Sequence, residues 1–105
     1  MANYLLVYHG GKAAETPEAQ ATVMQAWTDW FGRLGPALVD GGNPASQSRA
    51  IGSDGTAGPV NGDAVSGYSI LKADSIDRAV DLARGCPILV DGAARIEVVE
   101  TLDLM

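Results

Sequence analysis

The same punctuation occurs twice in this chain. Arg33-Leu-Gly-Pro-Ala-Leu-Val39 and Arg84-Gly-Cys-Pro-Ile-Leu-Val90 each set a cation, a glycine and a proline at the end of a helical stretch, followed by an apolar step. A cation suits the negative end of a helix dipole, glycine tolerates the positive φ that stops a helix, and proline cannot continue one. Two helices closed in the same way, each preceded and followed by strand-like runs, predict two βαβ halves of similar design. In 105 residues that leaves no room for a longer sheet. The expected fold is α+β: one ferredoxin-like βαββαβ domain over residues 1–105, with a four-stranded antiparallel sheet and both helices on one face. The other face is then bare, and the simplest cover for it is the same face of a second copy, so a homodimer is expected.

The elements follow from local chemistry. Tyr4-Leu5-Leu6-Val7-Tyr8 reads as a buried strand, stopped by Gly10-Gly11. Thr16-Pro17-Glu18 is a helix start, with a hydroxyl at N-cap, proline at N1 and a carboxylate at the positive helix end. Val23, Met24, Trp27, Trp30, Phe31 and Leu34 follow at helical spacing, and Gly35-Pro36 ends the helix. A second strand is expected over Ala37–Gly41, a third over Val65–Lys72 and a last over Ala94–Leu102. A second helix runs from a Ser75 cap through Arg84, with Ile76, Ala79, Val80 and Ala83 facing inward. Between them, Ala45–Asp63 is rich in Gly, Ser, Asn and Asp and reads as a mobile excursion with a short hairpin around Arg49–Gly52.

Charge and cysteine content remove several function classes. Thirteen acidic against seven basic side chains give a net charge of −6, and the cations are scattered rather than striped. Such a field repels nucleic acid and anionic membranes, so neither is an expected partner. No apolar run approaches the roughly 20 residues that span a bilayer, and the N-terminus does not look like a signal peptide, so a cytoplasmic location is expected. One cysteine and one histidine cannot build a disulfide or a Cys/His metal cluster within a protomer, and no cofactor is expected.

Tyr4-Leu-Leu-Val-Tyr8 with His9-Gly-Gly11, Trp30-Phe31 through Val39-Asp40-Gly41-Gly42, Ser66-Gly-Tyr-Ser-Ile70, and Ala73-Asp74-Ser75 leading to Gly85-Cys86-Pro87 span most of the chain. On these motifs the sequence resembles the YCII-like superfamily, in its branch related to the DGPF domain. The resemblance implies a dimeric α+β barrel, two ferredoxin-like sheets facing one another around a central cavity. The catalytic histidine and aspartate proposed for that superfamily fall here at about Met24 and at Cys86. A thioether transfers no proton and a thiol is not a carboxylate. The literal Asp-Gly-Pro-Phe signature is replaced by Asp54-Gly-Thr-Ala-Gly-Pro59.

The residues left to carry chemistry are few. His9, the only histidine, ends the first strand beside two glycines and shares a face with Leu5 and Val7. It reads either as a general acid/base at the mouth of the inter-sheet cavity, or as a strand-end histidine bonded to a loop carbonyl. Asp40 can orient that imidazole, or make an Asx turn ahead of Gly41-Gly42. Ser66 and Tyr68 offer hydroxyls to a ligand, and Tyr68 also reads as an ordinary core aromatic. Arg95 and Glu97, alternating with Ile96 and Val98, face the cavity or its edge, to bind an anionic ligand or to bridge subunits. Cys86, just past a helix C-terminus, is not expected to be a nucleophile, and Trp27 and Trp30 read as core and adjoining surface. The functional expectation is a small polar metabolite bound in the inter-sheet cavity, with cofactor-free lyase or isomerase chemistry at His9 and Asp40. The alternative is a non-catalytic ligand-binding or regulatory module, with residues 45–63 as a lid.

Overall fold

In a computed structural model, which describes residues 1–90 and 92–104, the two halves assemble as expected. The strands and helices are β1 (Ala2–Gly10), α1 (Pro17–Leu34), β2 (Leu38–Asp40), β3 (Ala50–Ile51), β4 (Ala57–Gly58), β5 (Val65–Ala73), α2 (Ile76–Ala83) and β6 (Ala94–Glu100). The main sheet has the order β2-β5-β1-β6 with every neighbour antiparallel. Leaving aside the separate β3–β4 hairpin, this is the ferredoxin-like βαββαβ arrangement. No helix among the described residues is long and apolar enough to cross a membrane.

Capping sets the helix starts where the sequence places them. Thr16 Oγ1 accepts the Ala19 amide at 3.0 Å ahead of Pro17, and Ser75 Oγ accepts the Arg78 amide at 3.1 Å. At the far end of α1, Gly35 takes φ +54°, and the chain turns through a short 3₁₀ segment at Gly35–Ala37 before β2. That turn uses Ala37, so β2 is shorter than the Ala37–Gly41 expected for it. The excursion carries its hairpin a little later than expected, Ala50–Ile51 against Ala57–Gly58. There Asp54 Oδ1 accepts the Thr56 amide at 2.9 Å and Gly55 has φ +88°.

Alternation along β1 divides the sheet into a covered and an open face. Tyr4, Leu6 and Tyr8 are buried beneath the helices with Leu71 and Ala73 of β5, Trp30 and Leu34 of α1, Ala79 and Ala83 of α2, and Cys86. Ile96 and Val98 pack on this side too, which sends Arg95, Glu97 and Val99 to the other. The open face presents Leu5 and Val7 of β1, flanked in register by Tyr68 and Ile70 of β5 and by Glu97 and Val99 of β6. One expectation is corrected: Val23 and Met24 are exposed, as is every residue from 17 to 25, so only the C-terminal half of α1 packs on the sheet. Ile76 is likewise exposed, at the first position of α2, while Ala79 and Ala83 are buried.

Candidate functional site

Below Asp40 the edge of the sheet is made by a turn rather than a strand. Asp40 Oδ1 accepts the Gly42 amide at 2.8 Å, the Asx turn that Asp before Gly-Gly favours. Gly42, at φ +75°, lies flat against β5: a Cβ there would meet the Tyr68 carbonyl oxygen at 1.7 Å. Only glycine permits that approach. The segment is then fastened to β5 by the Tyr68 amide to the Asn43 carbonyl at 3.3 Å, the Ala45 amide to the Ser66 carbonyl at 3.0 Å, and a bridge between Pro44 and Gly67.

A buried chain of hydroxyls holds the turn from beneath. The Tyr8 hydroxyl donates to Ser69 Oγ at 2.7 Å, and Ser69 donates to the Gly41 carbonyl at 2.8 Å. Burial raises the Tyr8 pKa well above its usual value. Over the chain stands an aromatic cluster: Trp27 meets Tyr8 edge to face with centroids 5.4 Å apart and lies 5.7 Å from both Trp30 and Phe31. Trp27 and Phe31 are one helical turn apart, so both overhang the turn at residues 41–44.

Between these walls lies a pocket of about 280 Å³, at the low end of ligand-site volumes. Tyr8, Trp27, Phe31, Pro44 and Ile88 supply its apolar surface, Gly41 to Asn43 and the β5 segment Ser66–Tyr68 complete its wall, and none of its lining residues is charged. Asn43 Nδ2 and the Tyr68 hydroxyl stand 3.5 Å apart, a weak pairing that leaves both able to bond elsewhere. Ser66 Oγ is shut off from solvent without a hydrogen-bond partner. Cys86, buried behind Tyr8, has its thiol pushed up to about 11. Its cause is burial, rather than the helix-end dipole that its sequence position suggests.

Of the residues singled out from sequence, Ser66 and Tyr68 border this pocket, and His9, Asp40 and Arg95 do not. His9 and Asp40 are not brought together. Asp40 sits on the edge strand with its carboxylate turned back on Gly42, and β5 intervenes between it and β1. The carboxylate that reaches His9 is Glu97: Oε1 is 2.8 Å from Nε2, while Nδ1 is 3.2 Å from the Asp63 carbonyl oxygen. Arg95 Nη1 lies 3.7 Å from the same Glu97 oxygen. Those three side chains form a separate polar group at one end of the open sheet face. Trp27, Phe31 and Ile88 carry no sequence signal of a pocket; Gly41-Gly42, which lets the wall close, is the one available clue. Among the described residues no group of three or more His, Cys, Asp or Glu side chains is arranged to hold a metal ion.

No family model matches the sequence, and no curated protein matches it significantly. Among solved structures the chain is similar to 5-chloro-2-hydroxyhydroquinone dehydrochlorinase from Burkholderia phenoliruptrix, in complex with 2,5-dihydroxybenzoquinone. The TM-score is 0.57 over 94% of this chain and 93% of that one, at 15% identity. The likeness is one of fold, and it agrees with the ferredoxin-like architecture that the YCII-like resemblance implies.

Proposed function

We propose that this protein binds a small, flat, uncharged molecule in the pocket between α1 and the sheet, in each protomer of a homodimer joined through the open sheet faces. The observation that carries the reading is the pocket lining: Tyr8, Trp27 and Phe31 stand over the turn that carries Asn43, with no charged residue among those that line the space. Aromatic walls favour a ring, and uncharged polar groups orient it without desolvating an ion. A ring-sized ligand, 2,5-dihydroxybenzoquinone, is bound by the dehydrochlorinase of the same fold. The binding place so proposed lies within the protomer, under α1, rather than in the space between two sheets.

Titration with phenol, hydroquinone and benzoate, followed by tryptophan fluorescence, tests this through Trp27 in the pocket wall. Saturable quenching by the neutral rings and not by the carboxylate is expected, and Ile88→Trp, which fills the pocket, should abolish it. Equal response to all three, or no saturation, counts against the proposal.

Pairing is supported by the open face, where Leu5, Val7, Tyr68 and Ile70 are only partly covered, and Val39 and Val99 remain 47% and 39% exposed. Leu5, Val7, Tyr68, Ile70 and Val99 adjoin in register across the sheet, and apolar surface left open in this way gains from burial against a second copy. Sedimentation should give dimers for the native chain and monomers for Val99→Lys; a monomeric native chain at micromolar concentration refutes the pairing.

A second reading keeps cofactor-free proton transfer, of lyase or isomerase type, at His9. It is favoured by Glu97, which stands in the orienting place that the sequence suggests for Asp40. Turnover on a metabolite panel that persists in His9→Ala would remove it.

A further inference from the structure

Both ring nitrogens of His9 face oxygen acceptors. Nε2 points at Glu97 Oε1, 2.8 Å away, and Nδ1 at the Asp63 carbonyl, 3.2 Å away. A carbonyl and a carboxylate only accept, and a neutral imidazole has one N–H to give. Both bonds therefore exist together only when the ring carries two protons. The His9 side chain is 10% exposed, so water does not readily replace a lost partner. We propose that His9 is a proton-operated latch, which fastens the connection leading into β5 when doubly protonated and lets it go when one proton leaves.

Which bond survives in the neutral ring follows from its strength. The contact to Glu97 is shorter and ends on a full negative charge, and charge-assisted hydrogen bonds are about twice as strong as neutral ones. The proton stays on Nε2, and Nδ1 turns a lone pair toward the Asp63 carbonyl, which repels it. Glu97 and Arg95 are the charged groups facing the ring from β6, and Arg95 Nη1 lies 3.7 Å from the same carboxylate oxygen. The connection presents its Asp63 carbonyl, and β5 sets Val65 opposite His9 at an irregularity in the register. Next to the latch, the Gly10 amide donates to the Ala64 carbonyl at 3.2 Å. That bond is the neighbour that reports release. Behind it lies the whole excursion that carries the β3–β4 hairpin, so one proton sets how firmly its C-terminal end is tied to the sheet. This device is independent of any ligand in the α1 pocket.

Because the chain has a single histidine, the test is free of overlap. Ring nitrogen shifts recorded across pH report the proton count and tautomer, and hydrogen exchange of the Gly10 amide, corrected for intrinsic rate, reports the connection. Protection should fall by about fivefold as the ring loses its proton, the equilibrium factor that one ordinary hydrogen bond supplies. The neutral ring should hold its proton on Nε2. In Glu97→Gln, where the charge is gone and the two bonds are closer in strength, the fall should shrink; in His9→Gln protection should not follow pH at all. Protection that stays constant through the ring's titration, a neutral ring protonated on Nδ1, or an undiminished fall in Glu97→Gln would each overturn the latch. The native protein alone decides the first two, so the result does not depend on the variants folding.

Discussion

Gly42→Ala isolates the contact on which the pocket wall depends. An alanine Cβ would sit 1.7 Å from the Tyr68 carbonyl oxygen and 2.6 Å from its carbon, both backbone atoms of a central strand. The turn and β5 must separate by more than an ångström, which stretches the Tyr68–Asn43 and Ala45–Ser66 backbone bonds beyond useful length. Losing two such bonds costs about 2 kcal/mol. Placing alanine at φ +75° adds roughly 1–2 kcal/mol, and the stiffer unfolded chain returns about 0.4–1 kcal/mol. The net loss is about 3 kcal/mol, which lowers the melting temperature of a domain this size by roughly 12–24 °C. Gly35→Ala is the matched control: its φ is +54°, but nothing lies within 4 Å of the added methyl. Strain alone, less the unfolded-state gain, should cost it about 1 kcal/mol or roughly 4–8 °C. Thermal melts by far-UV circular dichroism at one fixed protein concentration compare the two, since association moves the midpoint. Equal losses would show that the Gly42 approach to Tyr68 contributes nothing beyond its dihedral angle, and the account of the wall would fail.

Tyr8→Phe removes the donor to Ser69 while leaving the ring in place, and should cost roughly 1–1.5 kcal/mol in urea unfolding, with an unchanged midpoint counting against the hydroxyl chain. Trp30→Ala empties the centre of the core and breaks the indole N–H bond to the Leu82 carbonyl at 3.3 Å; a loss of about 3–5 kcal/mol is expected, and less than about 1 kcal/mol would contradict its central place. Cys86 should resist an aromatic disulfide reagent at pH 8 until the chain unfolds, whereas prompt labelling of the native protein would contradict its burial. Because the folded thiol titrates at about 11 against an ordinary 9.0, its contribution to stability is complete below pH 9 and is lost as pH rises toward 11. Cys86→Ala should flatten that part of the alkaline stability profile, and Tyr8 adds a loss in the same direction.

Much of the fold was legible because its signals are local. Thr16-Pro17 and Ser75 act on amides three residues ahead, and Gly35-Pro36 acts on the turn it occupies, so the helices begin and end where those residues stand. Alternation in β1 likewise revealed which side chains go under the helices. The Asx turn at Asp40 and the loop-carbonyl bond of His9 were both among the readings open from sequence. Two strand ends do not make a shared site here. His9 and Asp40 each end a strand, but β5 enters between those strands and brings its own chemistry.

The helix caps, the order of strands and helices along the chain and the two faces of β1 depend on residues within a turn or two of one another, so the residues alone carry them. Tertiary structure alone decided that Glu97, 88 positions away, meets His9, and that Tyr8, Ser69 and Gly41 join in one buried chain. It also decided that Trp27 and Phe31 overhang the turn at 41–44 to leave a pocket there. These pairings arise from strand order and register, and strand order is set by how two amphipathic helices share one sheet rather than by any short run of residues.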